Sequence, residues 1–249
     1  MNMKKISLVA LLLATAGSAA FAETLVPGCP KAFQGFHLGG NIGYGVGVAN
    51  QKFFGTTGTV QSGSKNNLGI KGVDGGIGVG YTHRLGNWAL GLAFDANWAN
   101  SKGQLTTAFD ADAAAANSVQ GVRTLKGRLK NALQLYARTG YVIGGQVMPF
   151  IGLGWDNASW NQSVRQTQTD AAGVPHDFSQ SRSKRLNGFM WKLGVDFLAT
   201  KHVVLGFEYT GTIYGKKTFA GVDAVNGQTI AASFRPQYNK FALTAKIVY

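Results

Sequence analysis

The sequence predicts an all-β chain, a closed up-and-down antiparallel transmembrane β-barrel of eight strands. Three observations predict it. Apolar residues alternate with small or polar ones in run after run, the connections alternate short and long, and the chain opens with an export signal. Residues 88–98, Trp-Ala-Leu-Gly-Leu-Ala-Phe-Asp-Ala-Asn-Trp, show the alternation most fully. Trp88, Leu90, Leu92, Phe94, Ala96 and Trp98 share one face of an extended strand; Ala89, Gly91, Ala93, Asp95 and Asn97 share the other. At ~3.3 Å per residue and a tilt of ~40°, this segment climbs about 25 Å, the height of the apolar band of a membrane barrel. Indole rings prefer the boundary between headgroups and acyl chains, so Trp88 and Trp98 mark its two edges. The other face carries a carboxylate, intolerable in lipid and suited to a barrel interior. Alternation alone also describes a soluble sheet with one wet face, so repetition and the export signal decide.

Residues 1–22 carry Lys4 and Lys5, then the apolar run 6–16, then Ala20-Phe21-Ala22 before Glu23. This is the pattern of a cleaved signal peptide, too short for a membrane helix. Residues 23–35 are expected to be a short periplasmic segment, and 36–249 the barrel. The single cysteine, Cys29, has no internal partner; it reads as an unpaired periplasmic thiol or, against Glu23 and Pro27, a lipidation site. The chain holds 35 glycines and 5 prolines without collagen period, which fits strands whose inner face must leave room in a narrow bore.

Eight runs follow the same rule. In 36–48, Phe36, Leu38, Ile42, Tyr44, Val46 and Val48 point out, with His37, Gly39 and Asn41 in. In 73–85, Val73, Ile77, Val79 and Tyr81 oppose Asp74, Gly78 and Thr82. After 88–98, the run 129–143 sets Leu133, Leu135, Ala137 and Tyr141 against Gln134, Tyr136 and Arg138. In 149–157, Ile151, Leu153 and Trp155 oppose Gly152, Gly154 and Asp156. In 189–197, Phe189, Trp191, Leu193, Val195 and Phe197 point out, with Met190, Lys192 and Asp196 in. In 203–213, Leu205, Phe207, Tyr209 and Ile213 oppose Glu208, Thr210 and Thr212. In 239–249, Phe241, Leu243, Ala245, Ile247 and Tyr249 oppose Lys240, Thr244 and Lys246. Trp155, Trp191 and Tyr209 complete the girdle begun by Trp88 and Trp98.

Tight turns fall at 85–87, 144–146 and 199–202, and long polar connections at 49–69, 101–128, 158–188 and 214–238. Short turns on one side and long loops on the other place both termini in the periplasm. The strand count is eight, or ten if a long connection holds a hairpin. Within the second, Asp110 is placed to cap a short helix over 110–116.

Through these runs the chain resembles the small eight-stranded outer-membrane barrels: the membrane domain of outer-membrane protein A, outer-membrane protein X and the opacity-type surface proteins. Its end, Phe241-Ala-Leu-Thr-Ala-Lys-Ile-Val-Tyr249, is similar to the family's terminal assembly signal, with Phe241, Leu243, Ala245, Ile247 and Tyr249 at alternating positions and Tyr249 in place of the commoner phenylalanine. Leu135-Tyr-Ala-Arg-Thr-Gly-Tyr141 and Gly206-Phe-Glu-Tyr209 are similar to motifs of its middle strands. The resemblance implies residence in the outer membrane and contact with the barrel-assembly machinery during biogenesis. No peptidoglycan-binding domain follows Tyr249, unlike the family's two-domain version.

A bore of eight strands is only wide enough for side chains to fill. Counted from the periplasmic turns, Asp95, Arg138, Lys192 and Glu208 fall at one middle level, Asp196 and Lys246 lower, and Asp74, Asp156 and Lys240 higher. Opposite signs sharing each layer are expected to form an ion-pair network, a packed plug rather than a narrow channel. Lipid A chemistry, known among barrels of this size, needs a serine, a histidine and an orienting group together. His37 has no serine at its level, His83 and His202 sit by turns, and the family's deacylase motif is absent, so no catalysis is expected. No metal-ligand spacing and no cofactor motif stands out; Gly76-Ile-Gly-Val-Gly80 reads as strand.

The formal net charge is +13, or +11 without Lys4 and Lys5. In an exported barrel this excess does not speak for nucleic acid. It lies largely in the expected outer rim, where Arg182, Lys184, Arg185, Lys216 and Lys217 are candidates to meet lipopolysaccharide phosphates or acidic host-surface ligands.

Overall fold

A computed structural model describes residues 32–57, 60–111, 119–169, 175–222 and 229–249. The strands are β1 (Gly35–Thr57), β2 (Val60–Leu85), β3 (Trp88–Ala99), β4 (Ser101–Ala111), β5 (Val119–Tyr141), β6 (Val147–Thr169), β7 (Pro175–Leu198), β8 (Val203–Tyr214), β9 (Lys217–Val222) and β10 (Thr229–Val248). All pairs are antiparallel, in the order β1-β10-β8-β7-β6-β5-β3-β2, and β2 pairs back to β1 to close a ring of eight. The remaining two segments are continuations. β4 carries on from β3 beside β5, and β9 carries on from β8 beside β10. The ten segments therefore make eight staves, and among the described residues no extra hairpin enters the ring.

A hydrogen-bonded row that leaves β1 at Val46 returns to it at Phe36, ten residues nearer the N-terminus. That stagger on eight strands corresponds to a tilt of about 40° and a backbone radius of about 8 Å. At the end with the short turns, Gly86 and Gly144 adopt φ of +61° and +60°, the left-handed geometry that short hairpin turns need.

The outward residues of each run are exposed to the position of lipid, from Phe36 and Leu38 on β1 to Phe241, Leu243 and Ile247 on β10. Aromatic pairs line this belt. Near the short turns, Phe36 meets Tyr81 at 4.8 Å and Trp88 meets Tyr141 at 5.3 Å. Higher on the wall, below the exposed Phe189 and Ile213, Trp191 meets Tyr209 at 5.0 Å, and Tyr209 meets Phe241 at 4.8 Å.

Two expectations need correction. The stretches 49–69, 101–128, 158–188 and 214–238, expected as long connections, are mostly strand. Above the belt the outer face no longer has to be apolar, so its half of the alternation disappears while the backbone ladder continues. The expected helix at 110–116 is not formed where the structure describes it: Asp110 pairs with Gln120 in the β4–β5 ladder, and 112–116 lie outside the described residues. Of the expected periplasmic segment 23–35, only residues 32–35 are described. Ala32 and Phe33 are buried beneath the barrel, turned inward by Phe33 at φ +65°. Residues 1–31, with the expected signal peptide and Cys29, lie outside the described residues.

Candidate functional site

Inward side chains fill the bore in layers. The floor is apolar: Ala32, Phe33, Ala89, Val142, Met148, Leu198, Val204 and Val248 pack together at the periplasmic end. The roof, level with the first extracellular turns of strand, is apolar too. There Trp160 stacks on Phe234 at 5.7 Å, among Leu68, Ile70, Leu129, Leu186 and Tyr214.

Between them lie the charges. Lys192 Nζ sits 2.7 Å from Asp95 Oδ2 and 3.1 Å from Glu208 Oε1, and 4.3 Å from the centre of the Tyr136 ring. One level lower, Asp196 accepts from Arg138 at 2.9 Å and from Lys246 at 2.9 Å. Phe150 lies 5.2 Å from the Arg138 guanidinium and 5.4 Å from the Lys246 ammonium, covering both with its ring. One level higher, neutral partners take over. Lys240 donates to the amide oxygens of Asn41 at 2.7 Å and Asn97 at 3.0 Å. Asp156 accepts from Gln134 at 2.7 Å and from the Tyr214 hydroxyl at 3.1 Å. Asp74 accepts from the Tyr238 hydroxyl, which lies 2.6 Å from Ser101 Oγ.

Of the four residues expected at one level, the structure brings Asp95, Lys192 and Glu208 into contact and sends Arg138 elsewhere. Strand tilt is the reason. Counting from the turns ignores the ten-residue stagger, which lowers Arg138 on β5 to meet Asp196 on β7. Tilt and partner choice also correct the upper layer, where Lys240 makes amide contacts in place of an ion pair with Asp74 or Asp156.

Glycines leave the volume that these charges occupy. A methyl group at Gly78 would run into Asp95 Oδ1, and one at Gly206 would run into Asp196 Oδ1. Among the described residues, one cavity of about 20 Å³ is lined by His37, Asn41, Asp95, Glu208, Thr244 and Lys246, room for about one water. The side chains that the sequence left unassigned here are Trp160, Phe234, Tyr214, Tyr238 and Phe150. Their signal was parity, since Trp160 continues the inward series Gly154, Asp156, Ala158.

The sequence of residues 7–235 matches the family model for the outer membrane protein beta-barrel domain. The chain belongs to that family. Membership sets this barrel in the bacterial outer membrane; in such barrels the short turns face the periplasm, and the rings of Phe36, Tyr81, Trp88 and Tyr141 lie toward them. No curated protein matches the chain. Among solved structures, it is similar to the outer membrane protein OprG of Pseudomonas aeruginosa, at 11% identity over 89% of this chain and 100% of that one, with a TM-score of 0.49. It is also similar to Neisserial surface protein A, at 12% identity over 87% and 98%, with a TM-score of 0.34. The attachment invasion locus protein Ail of Yersinia pestis follows at 11% over 82% and 98%, with a TM-score of 0.29.

The other expected site residues take definite places on the barrel. Phe241, Leu243, Ile247 and Tyr249 are exposed on the lipid face and Ala245 is half-buried there. Trp88, Trp98 and Trp155 are exposed, and Trp191 and Tyr209 are half-covered by each other and by Phe241. Arg182, Lys184, Arg185 and Lys216 are exposed and Lys217 is half-buried, all beyond the belt. Farther out, Arg165 forms a two-pronged pair with Asp177, its guanidinium 2.5 Å from Oδ2; that hydrogen bond holds the Asp177 carboxyl below its ordinary value.

Proposed function

We propose that this protein is an exported surface protein whose extracellular sheets contact acidic ligands, while its bore serves as a packed plug. Residues 1–22 act as its signal peptide, and the alternating apolar residues 241–249 serve the barrel-assembly machinery. One observation carries the surface reading. Above Gly188, β7 pairs with β6 alone, and β9 pairs with β10 alone, so among the described residues no ladder joins β7 to β9. Arg182, Lys184 and Arg185 stand on one lip of that gap and Lys216 and Lys217 on the other. Lys184 Nζ reaches across to the Thr218 carbonyl oxygen at 3.3 Å. Five cations at a break in the wall suit a polyanion such as an acidic glycan or an acidic host protein. The layers of charged and apolar side chains across the bore support a plug over a channel.

The test is binding of the refolded barrel to immobilised acidic glycans and host-surface proteins. Replacing Arg182, Lys184, Arg185, Lys216 and Lys217 together by Gln is expected to weaken binding at least tenfold while the heat-modifiable fold persists. Binding that ignores the substitutions overturns the reading.

A further inference from the structure

We infer that the lipid-facing wall formed by β2, β4 and β5 holds a phosphate-bearing headgroup of the outer leaflet through Lys71, Lys102 and Arg128. The ladder sets these three cations abreast. Lys71 is directly opposite Lys102, and Lys102 is directly opposite Arg128. Like charges facing one another across strands destabilise a sheet, and here the repulsion is doubled along one row. Beyond Arg128 the row continues with Asn161 and Ser183, and on the other side of Lys71 stands Val46, so no carboxylate interrupts it.

All three side chains face outward. Leu68 and Ile70 beside Lys71, Ser101 before Lys102, and Leu125 and Leu129 around Arg128 are the buried inward residues of the same strands. Lys71 and Lys102 are exposed and Arg128 is half-buried. The row also lies at the right height. Val73, two residues below Lys71, and Trp98, four residues below Lys102, belong to the lipid-exposed belt. At ~2.5 Å of climb per tilted residue, the three cations stand about 5–10 Å above the upper aromatic edge, the level of headgroup phosphates.

The site is built rather than scattered. The β3 stave is interrupted at Asn100 between β3 and β4, and β5 bulges between Leu129 and Ala132, so the two strands re-register just below the row. Asn100 Oδ1 accepts from Arg128 Nη2 at 2.8 Å and fixes the guanidinium, while its buried Nε has no partner among the described residues. A phosphate dianion supplies what this row lacks: negative charge shared by three cations, and acceptors for both ammonium groups. The site lies on β2, β4 and β5, two strands along the sheet from Arg182, Lys184 and Arg185 on β7, and does not depend on the surface reading above.

Native mass spectrometry of the refolded protein in zwitterionic micelles tests the inference with three probes: bisphosphorylated lipid A, dephosphorylated lipid A and inorganic phosphate. One bound bisphosphorylated lipid A is expected, with at least tenfold weaker retention of the dephosphorylated form. The combined K71Q, K102Q and R128Q variant is expected to lose the difference, and the five-cation variant at the β7–β9 gap to keep it. Thermal unfolding gives a second readout on the single variant K102Q, whose exposed side chain is not needed for folding. Without lipid A it is expected to unfold at the same temperature as the parent or higher, because repulsion is relieved; with lipid A it is expected to gain less than the parent. Equal retention of both lipid forms, or equal gains by parent and K102Q, overturns the inference. Displacement of lipid A by millimolar inorganic phosphate overturns the lipid source.

Discussion

Lys192 and Asp95 are 97 residues apart in the chain and 2.7 Å apart in the bore, and Glu208 closes on the same ammonium at 3.1 Å. The three come from β7, β3 and β8, so their contact exists only when the ring is closed. Removing one member of such a buried cluster leaves charge without compensation.

Lys192→Met is therefore expected to destabilise the barrel by about 3–5 kcal/mol, read as a lower denaturant midpoint in micelles. Adding Asp95→Asn and Glu208→Gln to Lys192→Met is expected to recover most of the loss, since the orphaned carboxylates are then gone. A triple variant no more stable than the single one would show that the cluster does not act as a unit.

The roof makes a separate prediction. Trp160 is fully buried against Phe234, and Trp160→Ala is expected to cost about 3–5 kcal/mol. The parent protein is expected to give no reproducible single-channel steps in planar bilayers. The variant is expected to stay silent too, because the charged layers below the roof still fill the bore. Steps from the parent would end the plug reading.

Glycine positions divide by the wall they face. Gly78→Ala is expected to destabilise by about 1–3 kcal/mol as its methyl group displaces the Asp95 carboxylate. Gly69→Ala faces outward with nothing within 4 Å and is expected to leave the midpoint unchanged. Denaturant titrations of the two variants side by side check this.

At the extracellular tip, Arg165 holds the Asp177 carboxyl below its ordinary 3.8. A carboxylate whose folded value is depressed contributes stability above its unfolded value, and that contribution is lost as pH falls through the folded one. The pair is thus expected to be intact at neutral pH and to open only in acid below the usual carboxylate range. An NMR titration of Asp177 should move upward in Arg165→Gln. Both groups are exposed, so the global midpoint is expected to change little.

How much of this was legible in the chain follows from which side chains meet lipid. Where the outer face must be apolar, as in 88–98 or 241–249, alternation gives strand, face and girdle together. Above the belt that requirement lapses. Stretches such as Ser159, Asn161 and Ser163 then read as loop, although inward Trp160 and Val164 keep the parity and the backbone keeps its ladder. The extracellular half of the fold was hidden for that reason.

The sequence by itself determined that the strands alternate, which residues of the eight apolar runs face the bore and where the three tight turns fall, because a period of two is written locally. Only the tertiary structure decided which charges meet. A hydrogen-bonded row slips ten residues in one circuit, so depth counted along one strand does not transfer to the next. That slip gives Arg138 to Asp196 and Lys192 to Asp95 and Glu208, and the ladder beside it sets Lys71, Lys102 and Arg128 abreast.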